Sequence, residues 1–278
     1  MNTIGIVVDL YKSLIARLKN GTIPIELRPS SLVGTVQDDP FDYWVGDQIK
    51  RALPNIEVHH AGKLTTPDIV LRDRASNTII GLEVKKLIQK PTGADSRGMT
   101  IDYNSSLPCG KALIKIGENT VEIPCFYLFA LLSPDSNSMV TSIIMDGDFL
   151  NYDFDLHKEA KYSNKSEYHH GPYGEGSVRH RKMYTYPNPL NYKLSFFHLR
   201  HILIVKKHDL SEIKHDLSFT DLIIRDDKYN NSFHYFVIDN RSKLKLPIEK
   251  LPVRKDVFKS CKQRKPKKRA ASMPKLDL

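Results

Sequence analysis

Thr66-Pro67-Asp68-Ile69-Val70-Leu71 is followed, after the link Arg72-Asp73-Arg74-Ala75-Ser76-Asn77, by Thr78-Ile79-Ile80-Gly81-Leu82-Glu83-Val84-Lys85-Lys86. The two runs read as the strands of a hairpin. Both are rich in β-branched residues, and the polar link ending in Ser-Asn has the chemistry of a turn between paired strands. In the second run the period of two puts Ile80, Leu82 and Val84 on one face and Gly81, Glu83 and Lys85 on the other. If the first face is buried, the carboxylate and the ammonium of the second point together into a cleft, and Asp68 on the neighbouring strand joins them.

Those residue types suit one kind of chemistry. Mg²⁺ is a hard cation that takes one or two protein carboxylates together with water and phosphate oxygens, a demand Asp68 and Glu83 can meet. Lys85 beside them can orient an attacking water or favour its hydroxide form. The residues here resemble the PD-(D/E)XK nuclease superfamily, with Pro67-Asp68 as the first half of its motif and Glu83-Val84-Lys85 as the second. The resemblance covers about twenty residues. The opening residues, the length and Thr65-Thr66-Pro67-Asp68 with Glu83-Val84-Lys85 also look like the NgoPII group of type II restriction endonucleases.

The resemblance implies an α/β fold with a PD-(D/E)XK nuclease-like core, a mixed β-sheet flanked by helices and a loop- and strand-rich DNA-recognition portion. It implies Asp68, Glu83 and Lys85 as catalytic residues, Asp68 and Glu83 as Mg²⁺ ligands, and cleavage of double-stranded DNA to 5′-phosphate ends, at GGCC if the narrower likeness holds. A homodimer, a functionally paired cognate DNA methyltransferase and a bacterial cytoplasmic location come with it. Three other readings stay open: an exposed strand edge carrying a salt bridge, a repair or recombination nuclease that cleaves by DNA structure, and a non-catalytic nucleic-acid-binding protein.

The 278 residues, 40% hydrophobic and 27% charged, are ordinary for a globular protein with a sizeable core. No run is apolar enough for a membrane span and the N-terminus lacks the pattern of a secretory signal, so an intracellular protein without a membrane partner is expected. Cys109, Cys125 and Cys261 have no paired short spacing and read as ordinary thiols. The net charge of +10 is concentrated: residues 250 to 269 hold ten Lys or Arg against Asp256 alone. A basic, mobile tail over 250–278 is expected to follow a single nuclease domain over 1–249.

The rest of the chain supplies the frame. Apolar residues at spacings of three and four predict a helix over 4–18, closed by Asn20-Gly21. Asp39 is placed to cap a second helix with Pro40 in its first turn, running to about Leu53 with Phe41, Trp44, Val45 and Ile49 on its apolar face. The resemblance further implies an acidic residue on a helix ahead of the sheet as a second metal contact, which makes Asp47 a candidate accessory acid and Asp42 a weaker one, set against the plainer reading of solvated helix charges. Asn55 to His60 reads as a strand, with Glu57 as an edge carboxylate. Phe126 to Leu132 reads as a strand buried on both faces and Ser142 to Met145 as another, giving a sheet of four or five strands.

Contacts to DNA are expected from two regions. Asn104 to Lys111 offers an amide, hydroxyls and Lys111 to phosphates or base edges. Asn151 to Leu194 holds seven Tyr, His169-His170 and Val178-Arg179-His180-Arg181-Lys182. Such a mixture suits phosphate contact by Lys and Arg and reading of guanine edges in the major groove, so Arg179, His180, Arg181 and Lys182 are the recognition candidates. A loop-rich insertion with a solvated charge cluster is the competing reading. Asp146-Gly147-Asp148 is a turn signal, and strand-like runs at 196–205, 222–224 and 233–238 complete the fold.

Overall fold

Asn2 and Asp39 start the two long helices. The Asn2 side chain accepts a hydrogen bond from the Gly5 amide, and Asp39 accepts one from Phe41, so each satisfies a backbone donor that the first turn leaves without a helical partner. Pro40 follows Asp39 at the first helical position, where its missing N–H costs nothing. The helix α1 (Thr3–Ile15) ends three residues before the expected stop. The chain then turns at Asn20 and Gly21, both with positive φ. The helix α2 (Pro40–Ala52) buries Phe41, Trp44, Val45 and Ile49, the face the sequence marks out.

The structure is a computed structural model, and it describes residues 2–33, 36–62, 65–90, 99–102, 104, 105, 109–151, 183–186, 199–218, 220–226, 231–240 and 273–276. Between the two helices lie the short strands β1 (Ile23–Pro24), β2 (Leu32–Val33) and β3 (Val36–Gln37). After α2 come β4 (Ile56–His60), β5 (Ile69–Asp73), β6 (Ile79–Ile88), β7 (Met99–Asp102), β8 (Lys111–Ile116), β9 (Asn119–Leu132) and β10 (Ser138–Asp146). The remainder comprises α3 (Gly147–Asn151), β11 (Met183–Tyr186), β12 (His201–Lys206), α4 (Lys207–Ser211), β13 (Asp221–Asp226), β14 (Ser232–Asp239) and β15 (Lys275–Leu276).

The fold is α/β, with a mixed and largely antiparallel sheet flanked by few helices. Its main path runs β13-β14-β12-β10-β9-β6-β5-β4. That is wider than the four or five strands expected, because β12 joins β10 in parallel and carries β14 and β13 onto the same sheet. β9 is twice the length of the apolar run visible in the sequence. Its polar first half, Asn119–Pro124, pairs with β8, while Cys125–Leu132 lies parallel to β6 and antiparallel to β10.

Alternation along the strands builds two cores. On one face Ile69, Leu71, Ile80, Leu82, Val84, Phe126, Leu128 and Leu203 pack under α1 and α2. On the other, Val70, Cys125, Tyr127, Phe129, Ile143, Ile204 and Tyr235 pack with Ile114 of β8 and Leu276 of β15. Among the described residues no helix is long and apolar enough to cross a membrane. Lys275–Leu276 add a parallel strand to β8, with Leu276 buried, so the segment expected as a free tail has a docked stretch beyond its basic run. Residues 250–269 themselves lie outside the described residues.

Where β12 meets β14 the sheet carries a buried ion pair. Arg200 Nε donates to Asp239 Oδ2 at 2.6 Å, and both side chains are almost wholly out of water. Beside it, His201 bonds Ser142 Oγ through Nδ1 at 2.8 Å, and the Tyr11 hydroxyl donates to the His201 carbonyl at 3.0 Å, tying α1 to the sheet. Removing one member of a buried pair strands the other charge. Asp239→Ala is expected to cost about 3–5 kcal/mol in urea unfolding, and Arg200→Met with Asp239→Leu is expected to recover most of that stability.

Candidate active site

The hairpin read from the sequence is present. β5 and β6 pair antiparallel with Ile69 opposite Leu82 and Val70 opposite Gly81. The turn is shorter than the six residues expected, because β5 continues through Asp73, whose carboxylate accepts from the Ala75 amide and the Ser76 hydroxyl. β6 is an interior strand, held by β5 on one side and β9 on the other, which removes the reading of an exposed strand edge.

Past Leu82 the hairpin ladder ends and the site begins. Continuing the register would set residue 67 against residue 84. Instead the Asp68 carboxylate reaches across and accepts the Val84 amide through Oδ2 at 2.8 Å. The opening strands diverge there, and Lys85 enters the gap: its Nζ lies 2.5 Å from Glu83 Oε1 and 4.0 Å from Asp68 Oδ2. Glu83 is 1% exposed. Gly81, Glu83 and Lys85 share their face with Cys125, Tyr127 and Phe129 across the parallel β6–β9 register.

Gly81 is required by close approach. A Cβ there would lie 2.8 Å from Cγ of Pro67, so the glycine gives the proline ring its seat and with it the backbone that presents Asp68. The Thr66–Pro67 peptide is cis. The carboxylates are close enough to act on their surroundings: burial first, and then the negative charge of Glu83, push the Cys125 thiol well above its ordinary range.

Of the two helix acids, Asp42 is the one that feels the charges of Asp68 and Lys85. Five residues of α2 set them roughly 140° apart. Asp47 is exposed, and its charge acts on His60 of the edge strand β4. Asp42 has its carboxyl pushed up to about 8, by burial first and then by the charges of Asp68 and Asp39, while Lys85 and Lys86 oppose the shift. Lys86, on the other face of β6, pairs with the capping residue Asp39 and so ties the start of α2 to the strand.

Three carboxylates, Asp68, Glu83 and Asp42, thus act around Lys85. Asp68 and Glu83 carry carboxylates, the type of hard oxygen donor that Mg²⁺ takes. Among the described residues no group of three or more His, Cys, Asp or Glu is arranged to hold a metal. The other candidates among the described residues do not come to this point. Lys111 opens β8 and pairs with Glu122 at 2.7 Å. Arg179, His180, Arg181 and Lys182 lie outside the described residues, as do His169 and His170. Glu57 is the edge carboxylate expected, held by Arg74 at 3.1 Å and Arg72 at 3.4 Å. Asp146 and Asp148 engage Lys206 at the wall of a separate cavity of about 480 Å³.

Asn104 has a different role from the one its sequence suggests. It is buried, and its amide donates to the carbonyls of Thr66 and Leu113, at 2.7 and 2.8 Å. It is therefore part of the scaffold behind the motif. No local pattern announces this, since the partners lie 38 and 9 residues away. Comparison of the chain with protein-family models, with curated proteins and with solved structures finds no match.

The raised Asp42 carboxyl gives a signed pH dependence. Between 3.8 and about 8 the folded chain holds a proton that the unfolded chain has released, so this group's contribution to stability falls as pH rises through that window. Asp42→Asn, which cannot ionise, is expected to gain stability over the parent from pH 5 to pH 8, with no further gain above. Urea midpoints of the two proteins at pH 5, 7 and 9 check this.

Proposed function

We propose that the protein is a Mg²⁺-dependent, site-specific endonuclease of double-stranded DNA, built on a PD-(D/E)XK-type core and acting as a type II restriction enzyme. The observation that carries the reading is the burial of Glu83 in the sheet interior with Lys85 and Asp68 against it. Two like charges beside one lysine raise the cost of desolvating either, an arrangement that also occurs at Asp146, Asp148 and Lys206; Glu83 is set apart by its deeper burial on an interior strand directly beside Pro67-Asp68. Catalytic sites are where such arrangements recur.

In this reading Asp68 and Glu83 hold the cation and Asp42 is the accessory acid. When bound, the cation offsets charge on the phosphate and acidifies water at neutral pH. Lys85 orients the attacking water and stabilises its deprotonated form. Burial and the charges of Asp68 and Asp39 push the Asp42 carboxyl up to about 8, which favours its protonated form below that pH and limits the repulsion among the carboxylates. Hydrolysis leaves 5′-phosphate and 3′-hydroxyl ends. A palindromic target, GGCC in the narrower proposal, suits a two-fold homodimer, and a methyltransferase that protects the same target is the paired activity.

The first test is incubation of phage DNA with and without Mg²⁺. Discrete fragments with ligatable 5′-phosphate ends are expected, with the rate falling roughly a hundredfold or more in Asp68→Asn, Glu83→Gln and Lys85→Ala. A fully active Glu83→Gln protein would sink the assignment. A smear would indicate cleavage by DNA structure, and intact but retarded DNA a binding protein without catalysis.

The basic run makes a separate prediction. Replacing Lys and Arg of residues 254–269 by Gln, with β15 left in place, is expected to weaken binding to all sequences alike. The slope of log affinity against log salt should fall by roughly 0.9 for each phosphate that is no longer neutralised. Filter binding at several salt concentrations to specific and non-specific duplexes measures both quantities.

A further inference from the structure

Asp68 reaches Val84 from a segment that has parted from β6, although its own carbonyl still accepts the Ala61 amide on the β4 side. Thr65 to Asp68 precede β5, and once the Ile69–Leu82 pair is passed no backbone ladder holds them to β6. The Asp68 carbonyl accepts the Ala61 amide at 2.9 Å and Thr65 bonds Gly62, while the Thr66 carbonyl between them is held by Asn104. Its Nδ2 donates to the Thr66 carbonyl at 2.7 Å and to the Leu113 carbonyl at 2.8 Å, and its Oδ1 accepts the Leu113 amide at 2.8 Å. The orientation of the carboxamide follows from these partners, because the reverse would set its oxygen against two carbonyl oxygens.

The pattern is that of a missing strand. On its inner edge β8 pairs with β9, Leu113 standing opposite Glu122. On its outer edge, Leu113 receives from Asn104 the donor and acceptor that a neighbouring strand would supply, and two residues on the Lys115 amide donates to Pro274, where β15 takes over. Asn104 thereby links Thr66 to β8. β8 is bonded to β9, and β9 to β6, which carries Glu83 and Lys85. Besides the β5–β6 pairing and the Asp68–Val84 bond, the two halves of the motif are joined again around this outer circuit, which Asn104 closes.

We propose that Asn104 is a positioning residue of the active site: it holds the Thr66–Pro67 backbone so that Asp68 stays in register with Glu83 and Lys85. The functional meaning of this rests on the nuclease reading above. Direct contact with DNA is a poor alternative use of the side chain, since both amide hydrogens and the carbonyl oxygen are already engaged and the residue is 9% exposed. Seated next to Pro67 on Gly81, the held carbonyl leaves Asp68 little freedom to swing away from the gap beside Val84.

Asn104→Asp and Asn104→Ser test this. The aspartate keeps the size and the acceptor for Leu113 but loses both donors, and the serine keeps at most one donor. Three readouts separate positioning from stability: the ¹³C carboxyl resonance of Asp68 in metal-free labelled protein, the half-saturating Mg²⁺ concentration by calorimetry, and thermal unfolding. The Asp68 resonance is expected to move, and half-saturation to rise roughly ten- to a hundredfold, the usual effect of removing a group that orients a ligand. DNA affinity measured with Ca²⁺ should stay within about twofold of the parent, as expected of a residue that touches no phosphate.

Folded variants with lowered thermal stability but an unmoved Asp68 resonance and unchanged half-saturation would overturn the proposal. If the parent protein neither takes up Mg²⁺ nor cleaves DNA, the nuclease reading fails by itself. The metal-free Asp68 resonance then decides the placement: a shift in Asn104→Ser supports it and no shift overturns it.

Discussion

A carboxylate cannot be removed from water in a sheet interior unless positive charge goes with it, and at Glu83 that charge is Lys85, two residues along the same strand. Desolvating either ion alone costs several kcal/mol, so the pair stands or falls together. The constraint reaches well beyond two side chains. β6 must be interior for Glu83 to be buried, which needs β9 on one side; it must be open on the other side from Val84 onward, so that the lysine and Asp68 can meet. The divergence of β5 from β6, the glycine under Pro67 and the asparagine behind Thr66 all serve that opening.

The hairpin was legible in the sequence because its two faces have different compositions, and a period of two sorts them without reference to anything distant. Ile80, Leu82 and Val84 went to the helix-covered core, and Gly81, Glu83 and Lys85 to the other face. Asp39 and Pro40 marked the start of α2 for an equally local reason. What could not be read was phase between elements. The apolar stripe of α2 is plain in its spacing, but whether Asp42 or Asp47 comes under the charges of Asp68 and Lys85 depends on how the helix docks, and Asp42 is the one that does. The width of the sheet was hidden for a similar cause: the parallel β10–β12 pairing joins residues 59 apart, such as Ser142 and His201, and nothing local signals it.

Asn104 shows a different limit. A polar side chain in a stretch of Ser, Pro and Gly has the look of a surface group, and composition offers no way to see that its amide substitutes for a strand edge. Buried amides with every hydrogen-bonding atom engaged are fixed points of a fold. They become visible only when the carbonyls they serve are in place. The same holds for Arg200 and Asp239, unremarkable at either end of a C-terminal stretch and a closed pair once β12 and β14 lie side by side.

The parallel pairing of β6 with β9 also bears on the order in which the molecule is assembled. Asp68, Glu83 and Lys85 lie within one hairpin, whose closure requires only a short loop and belongs to the microsecond range of elementary folding events. Their burial waits for Cys125–Leu132, much further along the chain, to arrive in register alongside β6. Loop closure over that distance precedes any reward from the pairing, so such sheets form late. During that interval the charged pair stands in water, where it is stable without β9, and the apolar face of the hairpin is the part that seeks cover. The face that carries Glu83 and Lys85 is thus enclosed only after the hairpin itself has closed.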